Sequence, residues 1–458
     1  MFKKILSAVV AMTLVLGMMC SCSESSSTGD NKNSSVVNSL PPTKTEPETP
    51  NNGSFTPSED IVSPTSQYQF LPAADSKISS DEQFLIGANE FSVEFFKNAV
   101  KADLENGNNT LVSAESVLFA LGMTANGAKG ETLKQMLKVL CKDMDIETFN
   151  RNMNKLMTSA QNNSEFKFSI ANSVWVRDNS NMTLTEQFAK NCKELYNADM
   201  FKAPFDDSTA QQMNGWVNEK TNQMIPSIID SLDDTTAAVL LNCIAFEAEW
   251  EHKYTTDDVR KNAEFTRPDG SKTTCEKMYS EENLYISDEN SQGFIKKYKG
   301  GKYAFMAILP NEGVSLADYV KSMTAEKFAK LYAGRTDEYK VYAHLPKFTY
   351  DYSAALNDTL KQMGITDAFD PESADFSAMS ETQQLFISEV LHKTHIQLDE
   401  DGTKAAAATS VKMDVMGISP MDEKTKIVEL DRAFAYAIVD TETGLPVFMG
   451  TVCDPSAK

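Results

Sequence analysis

Phe84, Ala88, Phe91, Phe95 and Ala99 recur at three- and four-residue spacing, which predicts an amphipathic helix at the start of the folded part of the chain. A second helix is expected after Gly130, through Leu133, Met136, Leu137 and Leu140. The period then changes. Phe168, Ile170, Asn172, Val174 and Val176 alternate as a strand does, whereas 237–246 and 303–309 are nearly unbroken apolar runs. Such runs are too apolar to face water on either side, so they are expected as central strands covered on both faces. A further helix is expected over about 354–363, with Ser353 as its cap and Gly364 as its stop. Beyond it the pattern predicts strands over 386–390, 394–398, 435–440 and 447–452. Helices gathered early and strands late describe a mixed α+β domain with a large sheet.

Composition divides the chain into three. Lys3 and Lys4 precede an apolar run from Ile5 to Leu16, too short to span a bilayer but long enough for an export signal. Ser21 before Cys22 is similar to the cleavage site of a bacterial lipoprotein leader, which would be residues 1–21. That resemblance implies acyl chains on Cys22 and a protein anchored to the outer face of a membrane; an ordinary cleaved signal would leave it extracellular. Residues 22–77 are rich in Ser, Thr, Asn and Pro, with too little apolar surface to fold, and are expected to be a disordered tether reaching about 40 Å. Residues 78–458 show no comparable break and no internal repeat, and they suffice for one large core.

The net charge of −22 falls to −24 once Lys3 and Lys4 leave with the leader. That balance disfavours nucleic acid and anionic membrane surfaces, leaving a lipid anchor as the only expected membrane contact. Beyond Cys22 the cysteines at 141, 192, 243, 275 and 453 are odd in number and widely spaced, so no paired framework is expected. Cys243 lies in an apolar run and is expected in the core. His252, His344, His392 and His395 form no metal spacing, since residues three apart on a strand point to opposite faces. Neither a G-x-S-x-G nor an H-E-x-x-H motif is present, nor a phosphate-binding glycine loop. No cofactor, metal or catalytic residue is expected.

The stretch from Glu400 to about Lys424 has the composition of a loop and the parity of a strand. Thr403, Ala405, Ala407, Thr409, Val411, Met413 and Val415 form one row, slim and uncharged. Lys404, Ala406, Ala408, Ser410, Lys412 and Asp414 form the other, which carries every charge in the interval. Such a segment fits a sheet with one row on a core and the other expected in water. Thirteen residues at ~3.3 Å would span about 43 Å, and on the order of ten backbone hydrogen bonds at ~1 kcal/mol each would form on insertion. By composition alone, four successive alanines suit a surface helix or linker equally well.

Glu400, Gly402, Thr403 and the run Ala405, Ala406, Ala407, Ala408, Thr409 resemble the hinge of the serpins. Asn242, Phe246 and Trp250 are similar to that family's motif near the top of its main sheet, with Glu247-Ala248-Glu249 where Lys-Gly-x is usual. Leu345-Pro346-Lys347-Phe348, the stretch from Met363 to Phe369, Ala374-Asp375-Phe376-Ser377 and Phe448-Met449-Gly450 extend the likeness over nearly the whole folded region. The resemblance implies a large central sheet, further sheets, surrounding helices and an exposed reactive loop over about 400–424. It also implies suicide inhibition, in which a serine protease cuts the loop and is trapped as an acyl-enzyme while the loop enters the sheet.

The family's spacing places the reactive bond between Met416 and Gly417, a residue suited to elastase-, chymotrypsin- or subtilisin-like enzymes. Papain-like cysteine proteases are a second target class, and the inhibitor is expected as a monomer. Trp250 would pack where the loop enters, while Ser113, Ser116, Asn214 and His392 would form the bonded point where central strands part. Four departures stand out. Lys404 replaces an acidic residue, Ala114 and Ala433 stand where prolines are common, and the stretch from Gly417 to Phe434 is long, leaving a bond after Met421 as the alternative. The rival reading is a serpin-fold protein that only binds or scaffolds.

Overall fold

The computed structural model describes residues 10–20, 79–161, 165–178, 182–403 and 424–457. Cys22, the tether, Lys404 to Thr409 and both candidate reactive bonds lie outside the described residues.

The first expected helix is Ser80–Glu105, capped by Ser79, whose hydroxyl accepts from Glu82 N at 3.2 Å. Phe84, Ala88, Phe91 and Phe95 face a core that also takes the helix Ala114–Ala125. The second expected helix is Gly130–Cys141, ended by Lys142 in a left-handed conformation. Three antiparallel-rich sheets carry the rest. The largest runs in the order Phe348–Ala355, Leu385–Leu398, Val10–Cys20, Thr236–Glu249, Phe166–Arg177 and Ala198–Ala203, with Gly402–Thr403 paired to the end of Thr236–Glu249. A six-stranded sheet holds Tyr303–Pro310, Phe434–Asp440 and Pro446–Val452, and a four-stranded one pairs Thr425–Glu429 with Lys340–Pro346.

The two apolar runs behave as expected. Residues 237–246 and the whole of Tyr303–Pro310 are buried. Cys243 is a core residue as expected, only 1% exposed.

Three expectations change. Residues 386–390 and 394–398 are one strand, Leu385–Leu398, because the polar His392 between them is itself buried. The helix expected from 354 starts only at Asn357, with Leu356 rather than Ser353 at the cap position. Ser353 and Ala354 belong to Phe348–Ala355, which pairs with Lys393 and His392, so ladder bonds override the local helix signal. The outer face of the large sheet is also only partly wet. Val239, Leu241, Cys243 and Ala245 are buried there with Met213, Trp216 and Val217 of the helix Asp207–Lys220. On Leu385–Leu398 the same face holds half-buried Leu391, Lys393, His395 and Gln397.

Residues Val10–Cys20 lie between strands 236–249 and 385–398, antiparallel to both, with ten residue pairs on each side. The leader segment read from the sequence therefore occupies a full strand position in the middle of the sheet.

Candidate functional site

Strand 236–249 ends at Glu249, and the chain then turns through Trp250 to Tyr254 beneath the end of strand 385–398. Three bonds join these two segments. Trp250 Nε1 donates to Asp399 O at 2.9 Å, Trp250 N to Asp401 O at 3.0 Å, and Tyr254 N to Glu400 O at 3.0 Å. The turn itself is closed by Asp399 N donating to Gly402 O at 3.1 Å. Each carboxylate of the turn that follows Asp399 meets a lysine. Lys347 Nζ lies 2.8 Å from Glu400 and 2.7 Å from Glu276, and Lys253 Nζ lies 3.3 Å from Asp401 and 2.8 Å from Glu249. Asp399 is mostly enclosed, and burial holds its carboxyl above the usual carboxylate range.

Gly402 then faces Glu249, and Thr403 faces Ala248. A Cβ on Gly402 would stand 2.8 Å from Glu249 Cα, and its φ of +149° lies where side chains are strained, so glycine is required. Thr403 is fully buried. Its hydroxyl shares a 2.6 Å hydrogen bond with Tyr298 Oη, and Tyr298 stacks on Trp250 at 4.5 Å between ring centroids. Trp250 lies at this turn with Tyr298 and Lys253, which gave no signal in the sequence reading, and with Lys347, which that reading named only within Leu345-Pro346-Lys347-Phe348.

Midway down the sheet is a second polar cluster, buried throughout. Ser113 caps helix Ala114–Ala125, its Oγ accepting from Ser116 N at 3.3 Å, and its N–H donates to His392 Nε2 at 3.4 Å. Ser116 Oγ donates to Asn242 Oδ1, and Asn242 Nδ2 donates to Asn172 Oδ1 at 2.8 Å. Asn214 does not join them. It sits on helix Asp207–Lys220 on the other side of the sheet, where its side chain holds Ile228 N at 2.8 Å and Ile229 O at 2.7 Å. Asn242 fills the role expected of Asn214, because it lies on the central strand opposite Asn172.

His392 Nδ1 has no hydrogen-bond partner among the described residues. Burial pushes the His392 imidazole down to about 3. Between about pH 3 and its ordinary 6.5, the unfolded chain therefore carries a proton that the folded one refuses. This group's share of stability is complete above pH 6.5 and lost as the pH falls toward 3. Urea midpoints followed from pH 7 to 5 should fall more steeply for the wild type than for His392→Gln; equal slopes would show that His392 does not titrate this way.

The two clusters are connected by register. Thr403 faces Ala248, and two steps further along the same strand Phe246 faces Val10. The strand 10–20 continues the hinge in step, in the same direction. At its centre Leu14 faces both Asn242 and His392.

A family model described as "Serpin (serine protease inhibitor)" matches residues 87–455. An uncharacterized serpin-like protein of Thermococcus kodakarensis is 30% identical over 417 residues, covering 89% of this chain and 94% of its own. Leukocyte elastase inhibitor A of Mus musculus is 28% identical over 387 residues, covering 82% of this chain and all of its own. Among solved structures, the thermophilic serpin tengpin in its native state is 43% identical, with a TM-score of 0.75 over 84% of this chain and 97% of its own.

Proposed function

Because the chain belongs to the serpin family, we propose that it inhibits serine proteases of the elastase, chymotrypsin or subtilisin type by suicide trapping. The protease attacks the bond after Met416 and is held as an acyl-enzyme. The freed loop enters the large sheet from Thr403 onward, between strands 236–249 and 385–398, and carries the enzyme with it.

The observation that supports this reading is the strand position itself. Two central strands part far enough to take a third, antiparallel to each, in the register that Gly402 and Thr403 begin. The inner row of the loop suits what it would meet there. Ala405, Ala407 and Val411 would come beside Phe246, Ile244 and Leu240, which are buried in the main core, while Thr409 would bring a hydroxyl between Asn242 and His392. Beyond Thr403, the first polar side chain of this row would fall where both flanking strands are polar.

The test is to mix the protein with an elastase-like protease. A complex that survives boiling in detergent is expected, with mass spectrometry of the released fragment placing the cut after Met416. Cleavage without a complex would favour a role limited to binding.

Export and anchoring complete the proposal: residues 1–21 are removed, and acylated Cys22 holds the inhibitor at the outer face of a membrane. Cys22→Ala should then move the protein from the membrane fraction to the medium, and a variant that stays in the membrane fraction would refute the anchor.

A further inference from the structure

We propose that Lys296 is a positioning residue for loop entry: its ammonium, held by Glu282, fixes the rings of Trp250 and Tyr254 around the seat of Thr403. The inference rests on the insertion reading above.

The placement starts from strand Ser291–Lys297, in which Lys296 is only 2% exposed. Lys297 is exposed and Tyr298 is buried again, so Lys296 and Tyr298 share the inner face. A lysine is almost never buried to this extent unless it is paired. Here its Nζ lies 2.7 Å from Glu282 Oε1. The same ammonium stands 4.4 Å from the ring centroid of Tyr254 and 5.5 Å from that of Trp250. Both distances are within reach of a cation–π contact, which is strongest where water is excluded.

These two rings belong to the residues that carry the turn before the hinge. Trp250 donates to Asp399 O and Asp401 O, and Tyr254 N to Glu400 O. Trp250 also covers Tyr298, whose hydroxyl meets that of Thr403. Phe305, which faces Lys296 across the ladder, meets Trp250 edge-on at 6.1 Å. One cation therefore touches both residues that hold the turn, and one of them frames the place where the hinge enters.

Stability alone does not account for the pair. Apolar side chains of similar volume usually stabilise a core as well as a buried ion pair does, or better. What the charge adds is direction, because the ammonium is drawn to the ring faces and resists a tilt of Trp250. A seat held in shape lets the hinge dock before the acyl-enzyme is released. A loosened seat sends more molecules to plain cleavage.

The experiment compares wild type, Lys296→Arg, Lys296→Met, and Lys296→Met combined with Glu282→Gln, each produced as the full chain with its leader removed on export. The combined variant leaves no carboxylate without its partner. For each, an elastase-like protease is used to measure the inhibitor consumed per trapped enzyme and the rate at which the loop is cut, alongside the melting temperature of the intact protein. The combined variant should consume about two- to fivefold more inhibitor. Its cutting rate and melting temperature should stay at the wild-type values. Lys296→Arg, which keeps a cation over both rings, should consume as the wild type does. Lys296→Met alone should consume more and also melt lower, because Glu282 is then left unpaired. Wild-type consumption by the combined variant would overturn the assignment, as would a rise in Lys296→Arg equal to that of the combined variant. A lower melting temperature with unchanged consumption would show a structural pair and nothing more, and would overturn it too. Failure of the wild type itself to trap any protease would instead refute the insertion reading.

Discussion

Thr403→Arg should turn the inhibitor into a substrate, with cutting of the loop unimpaired and trapping reduced more than tenfold. Thr403 has no exposed surface, and its hydroxyl is bonded to Tyr298 under the ring of Trp250. A guanidinium there would be taken from water into a space lined by Ala248, Tyr298 and Trp250. Burying an unpaired charge costs several kcal/mol, enough to keep the hinge out of the sheet. Insertion competes with release of the acyl-enzyme, so a delayed first step sends the reaction to plain cleavage. The intact protein should melt near the wild-type temperature, because Gly402 and Thr403 can leave the sheet without opening the core. Trapping at full stoichiometry by this variant would show that the inner row of the loop does not enter as described.

The second large effect concerns the leader. Residues Val10–Cys20 use the facing N–H and C=O groups of strands 236–249 and 385–398, and those groups cannot serve two strands at once. A chain that keeps residues 1–21 should therefore be cut without trapping, whereas a chain beginning at Cys22 should trap. The loop would have to displace on the order of ten hydrogen bonds at ~1 kcal/mol each before it gained its own. Removing the leader thus does two things in this proposal: it releases the protein for anchoring, and it vacates the strand position. Equal trapping by both chains would mean that the leader does not hold this position in solution.

Both effects and the acid sensitivity of His392 concern the same slot at different depths. Thr403 guards its mouth, Asn242 and His392 mark its middle, and residues Val10–Cys20 fill its length. Lys253 and Lys347 fix the turn from which the loop starts, each through two carboxylates. Their worth is in holding that turn in one place rather than in net stability, since half-exposed ion pairs contribute little.

The sequence was informative wherever local chemistry sufficed. Alternation along 403–415 raised the expectation of a latent strand, since the period of two is a property of the extended chain itself; past Thr403 that stretch lies outside the described residues. The runs 237–246 and 303–309 announced central strands, since a segment without polar positions has no face to offer water. Gly402 could be singled out for its place in the hinge, although the reason for it, the closeness of Glu249, lay in another part of the chain. By contrast, Ser353 looked like a helix cap and proved to be a strand residue, because its partner Lys393 is distant in sequence. The resemblance assigned Asn214 to the bonded point and Asn242 to the motif near the top of the sheet; the pairing of Asn242 with Asn172 and its contact with Ser116 put Asn242 at that point instead.

What the sequence determined by itself, then, was the alphabet of elements, the slim row of the loop and the export-like start, all set by side-chain period and composition over a few residues. What the tertiary structure alone decided was register. Which residues face one another across strands depends on bonds between segments distant in the chain, and no local pattern encodes that offset. That is why Tyr298 beneath Thr403 came into view only once the strands were laid side by side.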